Sequence, residues 1–258
     1  MTSTHDSAGR GTALITGASS GIGLELSKLF ARDGYDLVLV ARGKGRLDEV
    51  AADLRSKYGV GAQSIAADLS SPGSVDEIMR ELQRLDVRVE ALVNAAGFGG
   101  RGPFAEADIA ETLAMLQVNV VSLTHLTRNV LAGMVQRRSG KILNVASTAA
   151  FQPGPLMAVY YASKSYVLSL SEAIAYEAAD SGVTVTALCP GPTATGFQAR
   201  ADMTQTRLFT SGSIMQPDDV ARIGYVGLMH GKLVVVPGLS NRALTVVERF
   251  APRRLVLG

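Results

Sequence analysis

The apolar pattern of the chain predicts an α/β fold: a doubly wound, mostly parallel sheet of seven strands with helices on both faces. Three observations carry this. Short β-branched runs alternate with longer stretches of helical period, which calls for right-handed βαβ crossovers. A glycine-rich turn joins the first strand to the first helix. The composition is globular, with 258 residues, 47% hydrophobic and 19% charged, enough to bury a large core.

The strands are expected at Thr12–Thr16, Asp36–Ala41, Ala62–Ala66, Ala91–Asn94, Lys141–Ala146, Val183–Leu188 and Leu233–Val236. The helices are expected at Gly21–Asp33, Arg46–Tyr58, Pro72–Leu85, Phe104–Gln136, Val159–Asp180, Pro217–His230 and Asn241–Phe250. The segment Phe104–Gln136 is long for one helix and is expected to break or bend near its start. No repeat or linker interrupts the pattern, so residues 12–258 read as a single domain. The polar stretch Met1–Gly11 lacks an apolar core and reads as a disordered tail, not a signal peptide.

Bulk properties exclude several classes of function. A net charge of +2 without a basic stripe argues against nucleic acid. No apolar run approaches the roughly 18 residues of a membrane span. The end of the chain, 239–258, is apolar with Arg242, Arg249, Arg253 and Arg254; it reads as a covering or interface helix, its membrane contact weak. The one cysteine, Cys189, permits no internal disulfide, fits a reducing, cytoplasmic setting, and reads as a small buried hydrophobe. No metal site is expected.

The chemistry is concentrated in Ser147, Tyr160 and Lys164. Lys164 follows Tyr160 by four residues, so on a helix the two share a face. Ser147 ends an apolar strand thirteen residues before Tyr160. A hydroxyl, a phenol and an ammonium together make a proton-donating site. A unit positive charge about 4 Å from a phenol is worth about 4 kcal/mol at an effective dielectric of 20. That would lower its pKa by about three units before desolvation opposes it. Tyr161 lies three residues from Lys164 and shares the face too, so spacing alone leaves the tyrosine open.

The first turn reads Thr16-Gly17-Ala18-Ser19-Ser20-Gly21-Ile22-Gly23. Gly17 permits a tight turn, Gly21 a close approach of backbone to phosphate, and Gly23 close packing of helix on strand. The helix N-terminus then offers free N–H groups to a pyrophosphate. The same residues match the G-x-S-x-G nucleophile elbow of hydrolases, but too little chain precedes them for that fold. Its histidine would have to be His125 or His230. The second strand ends in Arg42 and reaches no carboxylate before Asp48. Arg42, with Lys44 or Arg46 beside it, suits a 2′-phosphate and favours NADP(H) over NAD(H).

With these motifs in order, the chain resembles the short-chain dehydrogenase/reductase family over roughly Thr12 to Phe197. The match comprises the glycine turn, Asp68-Leu69, Asn94-Ala95-Ala96-Gly97, Asn119, Ser147, Tyr160 and Lys164 in Y-x-x-x-K, and Pro190-Gly191-Pro192-Thr193. The resemblance implies a Rossmann fold and reversible carbonyl–alcohol chemistry with NAD(P)(H) as cosubstrate. It puts Asp68 and the Leu69 backbone at the adenine, and the Asn94–Gly97 turn against the adenosine ribose. It puts Pro190, Gly191 and Thr193 around the nicotinamide. The family's usual second asparagine is Ala95 here.

The spacing from Ser147 in that family selects Tyr160 as acid/base, with Ser147 on the carbonyl oxygen. Lys164 takes the charge role and bonds the nicotinamide ribose; Asn119 helps hold a water that links Lys164 to solvent. The resemblance also implies a homodimer or homotetramer built on the two long helices. The substrate wall is expected to be apolar, from Phe151, Pro153, Pro155, Leu156, Met157 and Phe197, with Thr195–Ser213 as a lid. The rival reading is a non-catalytic NADP-binding regulator on the same fold, which would need no proton donor.

Overall fold

The computed structural model describes residues 10–195 and 214–250. Seven strands make one sheet: β1 (Thr12–Thr16), β2 (Asp36–Ala41), β3 (Ala62–Ala66), β4 (Val89–Asn94), β5 (Gly140–Val145), β6 (Val183–Leu188) and β7 (Val234–Val235). Their order is β3-β2-β1-β4-β5-β6-β7, and every pairing between them is parallel. The helices are α1 (Gly21–Arg32), α2 (Lys44–Tyr58), α3 (Ser74–Arg84), α4 (Ile109–Leu116), α5 (Leu123–Gln136), α6 (Ala158–Glu177), α7 (Pro217–Met229) and α8 (Leu239–Phe250). This is the doubly wound sheet that the alternating pattern predicts.

Alternate strand residues face opposite sides of the sheet. In β1, Ala13 and Ile15 join the core beneath α1, α2 and α7, whereas Leu14 joins the core beneath α3 and α5. Both faces are therefore apolar, which is why the strands read as continuous runs. On α1 the buried residues Gly23, Leu26, Ser27, Phe30 and Ala31 form one stripe. The Phe30 ring meets Tyr35 and Tyr225 edge-on, with centroids 5.1 and 4.9 Å apart, and so ties α1 to α7.

The long segment after β4 differs from one continuous helix in two places. Phe104–Glu106 is a separate 3₁₀ turn, and Asp108 caps α4 by accepting from the Ala110 and Glu111 N–H groups. A π-helical turn, Gln117–Ser122, then joins α4 to α5 and carries Asn119. Such turns insert a residue and re-aim side chains. The span Ile109–Gln136 is also long and apolar enough, by length and composition, to cross a membrane. That corrects the expectation that no stretch approaches a span. Within it Glu111 and Arg128 are the only acidic, lysine or arginine residues, set among Leu, Val, Met and Ala. Here Val118, Leu126, Val130 and Met134 of this span pack on the sheet.

At the C-terminal side, β7 is shorter than expected because it pairs only with Ala187 and Leu188 of β6. Gly238, at φ +86°, turns the chain into α8, which begins two residues before the expected start. The Met1–Gly11 tail up to residue 9, and the end from Ala251, lie outside the described residues. The strand order reverses between β1 and β4, and the crossovers on either side leave a crevice at the C-terminal ends of the strands.

Candidate active site

A cavity of about 1110 Å³ fills that crevice. One end is formed by backbone. Gly17 and Gly21 have φ of +68° and +56°, a region that favours glycine. A Cβ on Gly17 would come within 2.9 Å of the Ala96 nitrogen, and one on Gly23 within 2.4 Å of the Gly17 oxygen. Ser19, Ser20, Gly21, Ile22 and Gly23 line the cavity. Ser20 precedes α1 without a side-chain cap hydrogen bond, and the first turn of the helix carries no acid.

Arg42, Asp68 and Leu69 form the adjoining wall. Lys44 is 2.8 Å from Asp48 and Arg46 is 3.0 Å from Glu49, so these two cations are paired within α2. Asp48 also accepts from the Ser64 hydroxyl and turns away from the cavity. Arg42 enters no ion pair among the described residues. The Ser70 N–H and hydroxyl hold Asp68 below the usual carboxylate range, with Arg42 adding to the effect.

The other end is formed by side chains. Ser147 follows β5, accepts from the Ala149 N–H at 3.1 Å, and its hydroxyl is 3.4 Å from the Pro190 carbonyl. Tyr160 and Lys164 stand on one face of α6. The Tyr160 hydroxyl shares a hydrogen bond with Ser147. Lys164 is buried, and its Nζ donates to the Val145 carbonyl at 2.8 Å. Pro190, Gly191 and Thr193 also line the cavity, as do Ala95, Ala96 and Gly97. A Cβ on Gly97 would fall 3.4 Å from the Lys164 Nζ, so glycine keeps that floor open.

The titration of this cluster differs from expectation. Burial pushes Tyr160 up to about 12, against the Ser147 hydrogen bond. Burial also brings Lys164 down to about 8. The ammonium sits 5.8 Å from the Tyr160 ring centre and is held on the Val145 carbonyl. Desolvation therefore outweighs the attraction that spacing suggested. Cys189, behind the cluster, is buried and pushed up to about 12 by the same effect. It is an inert thiol.

Two expected site residues stand behind the cavity wall. Asn94 is buried; its Nδ2 donates to Thr127 Oγ1 and to Asn144 Oδ1, each at 2.9 Å. Its side chain points into the sheet because the pleat turns it away from the crevice. Asn119 accepts from the Phe98 N–H and donates to the Phe98 carbonyl and to Ser163 Oγ. Both of its amide hydrogens are thus taken by protein partners. Ser163 in turn donates to the Tyr160 carbonyl at 2.7 Å. Asn119 thereby braces the first turn of α6.

Tyr161 lines the cavity as well, edge-on to Tyr160 with centroids 6.1 Å apart. A Cβ on Gly154 would come within 2.4 Å of its ring, so that glycine accommodates it. Of the expected apolar wall, Met157 reaches the cavity. Phe151 packs instead on the core beside β6, and Leu156, at φ +63°, is 46% exposed. Pro153 and Pro155 are exposed and do not line it; Phe197 and the lid beyond Thr195 lie outside the described residues up to Ile214. His125 faces Asp76, and His230 caps α7; neither reaches the cavity.

Reading the sequence missed Ala114, Gln152, Ser240, Asn241 and Leu244, which line the cavity, and Asn144, Thr127 and Ser171 behind it. Asn144 had a signal: a carboxamide within the apolar strand Ile142-Leu143-Asn144-Val145. The others had none, since only the folded chain brings them to the crevice.

Comparison with known proteins places these features in context. The profile of the short chain dehydrogenase family matches residues 11–206. A very-long-chain 3-oxoacyl-CoA reductase of Pyrenophora tritici-repentis is 37% identical over 183 residues, 68% of this chain and 53% of that protein. The chain thus spans about half the length of that curated relative. The structure of a short-chain dehydrogenase from Sphingobium yanoikuyae in complex with NADPH is 36% identical, with a TM-score of 0.83 over 93% of this chain and 94% of that one. A bulky-bulky ketone specific alcohol dehydrogenase from Comamonas testosteroni is 31% identical, with a TM-score of 0.79 over 93% and 92%.

Proposed function

The chain belongs to the short-chain dehydrogenase/reductase family, and on that footing we propose that it interconverts a carbonyl and a secondary alcohol with NADP(H). The observation that carries this is the convergence of Ser147, Tyr160 and Lys164 at one end of a cavity whose other end is a glycine turn with Arg42 at its rim. The residues fit a phosphorylated dinucleotide. Ser20 does not cap the α1 N-terminus with its side chain, the glycines clear its approach, and Arg42 is the basic side chain there that enters no ion pair among the described residues. NADPH complexes among the solved relatives support the same choice.

NADP(H) supplies or accepts the hydride when bound. The chain's own task is the proton. Ser147 holds the carbonyl oxygen by donating its hydroxyl hydrogen. Tyr160, protonated at neutral pH because its pKa stands near 12, donates to the same oxygen as negative charge grows there. Lys164, charged below about pH 8, stabilises the phenolate left behind. Asn119 holds α6 in register through Phe98 and Ser163. In the reverse direction the phenolate takes the alcohol proton.

The substrate class proposed is an apolar ketone or acyl carbonyl. Met157, Ala149 and Ala114 support it, as do the bulky ketones and long acyl chains named for the relatives. We also propose a homodimer or homotetramer through α4, the π turn, α5 and α6, where Leu113, Val121, Tyr166 and Tyr176 are exposed. The cytoplasm is proposed on the single cysteine. The test is consumption of NADPH with a panel of ketones, aldehydes and acyl thioester analogues. Reduction of an apolar ketone at a rate above NADH supports the reading. NADPH binding with no carbonyl reduced overturns it in favour of a regulator.

A further inference from the structure

One wall of the cavity is used neither by the nucleotide nor by the Ser147, Tyr160 and Lys164 cluster. Part of it comes from the Thr148–Phe151 turn and the start of α6, as Ala149, Gln152, Met157 and Tyr161. The rest comes from α8, near the far end of the chain, as Ser240, Asn241 and Leu244. These three residues recur at helical spacing, so they share one face of α8. The neighbouring Thr245 is buried, and Leu239, off that face, is 83% exposed.

Two contacts seat α8 over the cavity. Asn241 donates through Nδ2 to the Pro237 carbonyl at 2.8 Å, and its carboxamide lies on Gly191, where a Cβ would come within 2.6 Å. The helix also packs against the Thr148–Phe151 turn that follows Ser147. Its position is therefore tied at once to the loop beside Pro190 and to the turn that carries the catalytic hydroxyl. Leu244 remains 51% exposed although it lines the same cavity as Met157 and Ala149. A leucine so placed gains burial only when an apolar group enters beside it.

We propose that α8 is a substrate-binding element, and that Leu244 determines specificity by contacting the apolar part of the substrate farthest from the reacting carbonyl. This rests on the carbonyl-reductase reading given above. It predicts that affinity rises with the length of the apolar chain, and that the rise depends on Leu244.

The experiment compares acetone with methyl hexyl ketone in the full chain, and adds binding of the alcohol of methyl hexyl ketone to the NADPH complex by calorimetry. The binding arm needs no turnover. In Leu244→Ala the KM for methyl hexyl ketone should rise about tenfold, and the alcohol should bind about tenfold more weakly. The KM for acetone and the Kd for NADPH, read from the fluorescence of the bound nucleotide, should change less than about twofold. Leu239→Ala should match the unaltered protein. The proposal is overturned if Leu244→Ala binds the alcohol normally, if acetone and methyl hexyl ketone lose equally, or if the unaltered NADPH complex does not bind the alcohol. Should the alcohol bind while no ketone is reduced, the oxidoreductase reading fails, and the Leu244 comparison still decides the role of α8.

Discussion

On the β1–β3 side of the cavity the wall is mostly backbone: the Gly17 and Gly21 turns, the open α1 terminus, and Arg42 at the rim. On the β4–β6 side it is mostly side chain: Ser147, Tyr160 and Lys164, with a second layer of carboxamides and hydroxyls behind them. A phosphate can be held by oriented N–H groups and one charge, without any group changing protonation. A proton transfer needs titratable groups at fixed positions, and here these are desolvated. Desolvation displaces Tyr160 and Lys164 from their ordinary pKa values. The second layer, in which Asn119 braces α6 and Asn94, Asn144, Thr127 and Ser171 cross-link β4, β5, α5 and α6, supplies the position.

The contrast is tested hardest at Tyr160. Tyr160→Phe should reduce kcat by about 10²- to 10⁴-fold, the range for a lost general acid, with NADPH affinity retained. Tyr161→Phe should lose far less. A result in which only Tyr161→Phe is inactive would move the proton donor to the neighbour and undo the assignment. On the other side, Arg42→Ala should weaken NADPH by about 10- to 100-fold, as for a lost charge-assisted contact, and leave NADH nearly unchanged. Equal loss for both nucleotides would mean that Arg42 does not meet the 2′-phosphate.

The pH dependence sharpens the same contrast. Lys164 is lowered from its ordinary value of 10.5 to about 8, so it is charged below that pH and neutral above it. Tyr160, near 12, stays protonated throughout. Ketone reduction should therefore fall as pH rises through about 8, by up to about tenfold per pH unit. In Lys164→Arg the limb should disappear from the profile, whatever activity remains, because arginine does not titrate there. A limb unchanged in that variant would assign it to another group.

These two sides also differed in how much the sequence disclosed. The glycine turn and Arg42 are local, and a turn that needs positive φ can be read from adjacent letters. The seven strands were equally plain, because burial on both faces leaves continuous apolar runs. Tyr160 and Lys164 were readable as a helical pair, but the choice between Tyr160 and Tyr161 was not. It depends on Ser147, which meets Tyr160 only across the fold. The π turn that aims Asn119 had no marker, since Gln117–Ser122 is compatible with an ordinary helix. The same holds for Leu244: with Ser240 and Asn241 it reaches the cavity from the far end of the chain, remote in sequence from the rest of the wall.

The smallest effect is expected in the second layer itself. Asn144 and Asn94 face each other in the β4–β5 register, and Asn144 links Asn94 to Ser171. In Asn144→Ala both former partners keep another bond: Asn94 to Thr127, and Ser171 to the Val167 carbonyl. One Asn94 Nδ2 hydrogen loses its acceptor, so the cost should be about 1–3 kcal/mol of folding stability, seen as a lower urea midpoint with an unchanged slope. Because Asn144 lies behind the wall and not on it, kcat should move less than about twofold. A large fall in kcat at unchanged stability would show that this layer tunes the proton transfer itself. The separation between a layer that positions and a surface that reacts would then fail on the β4–β6 side.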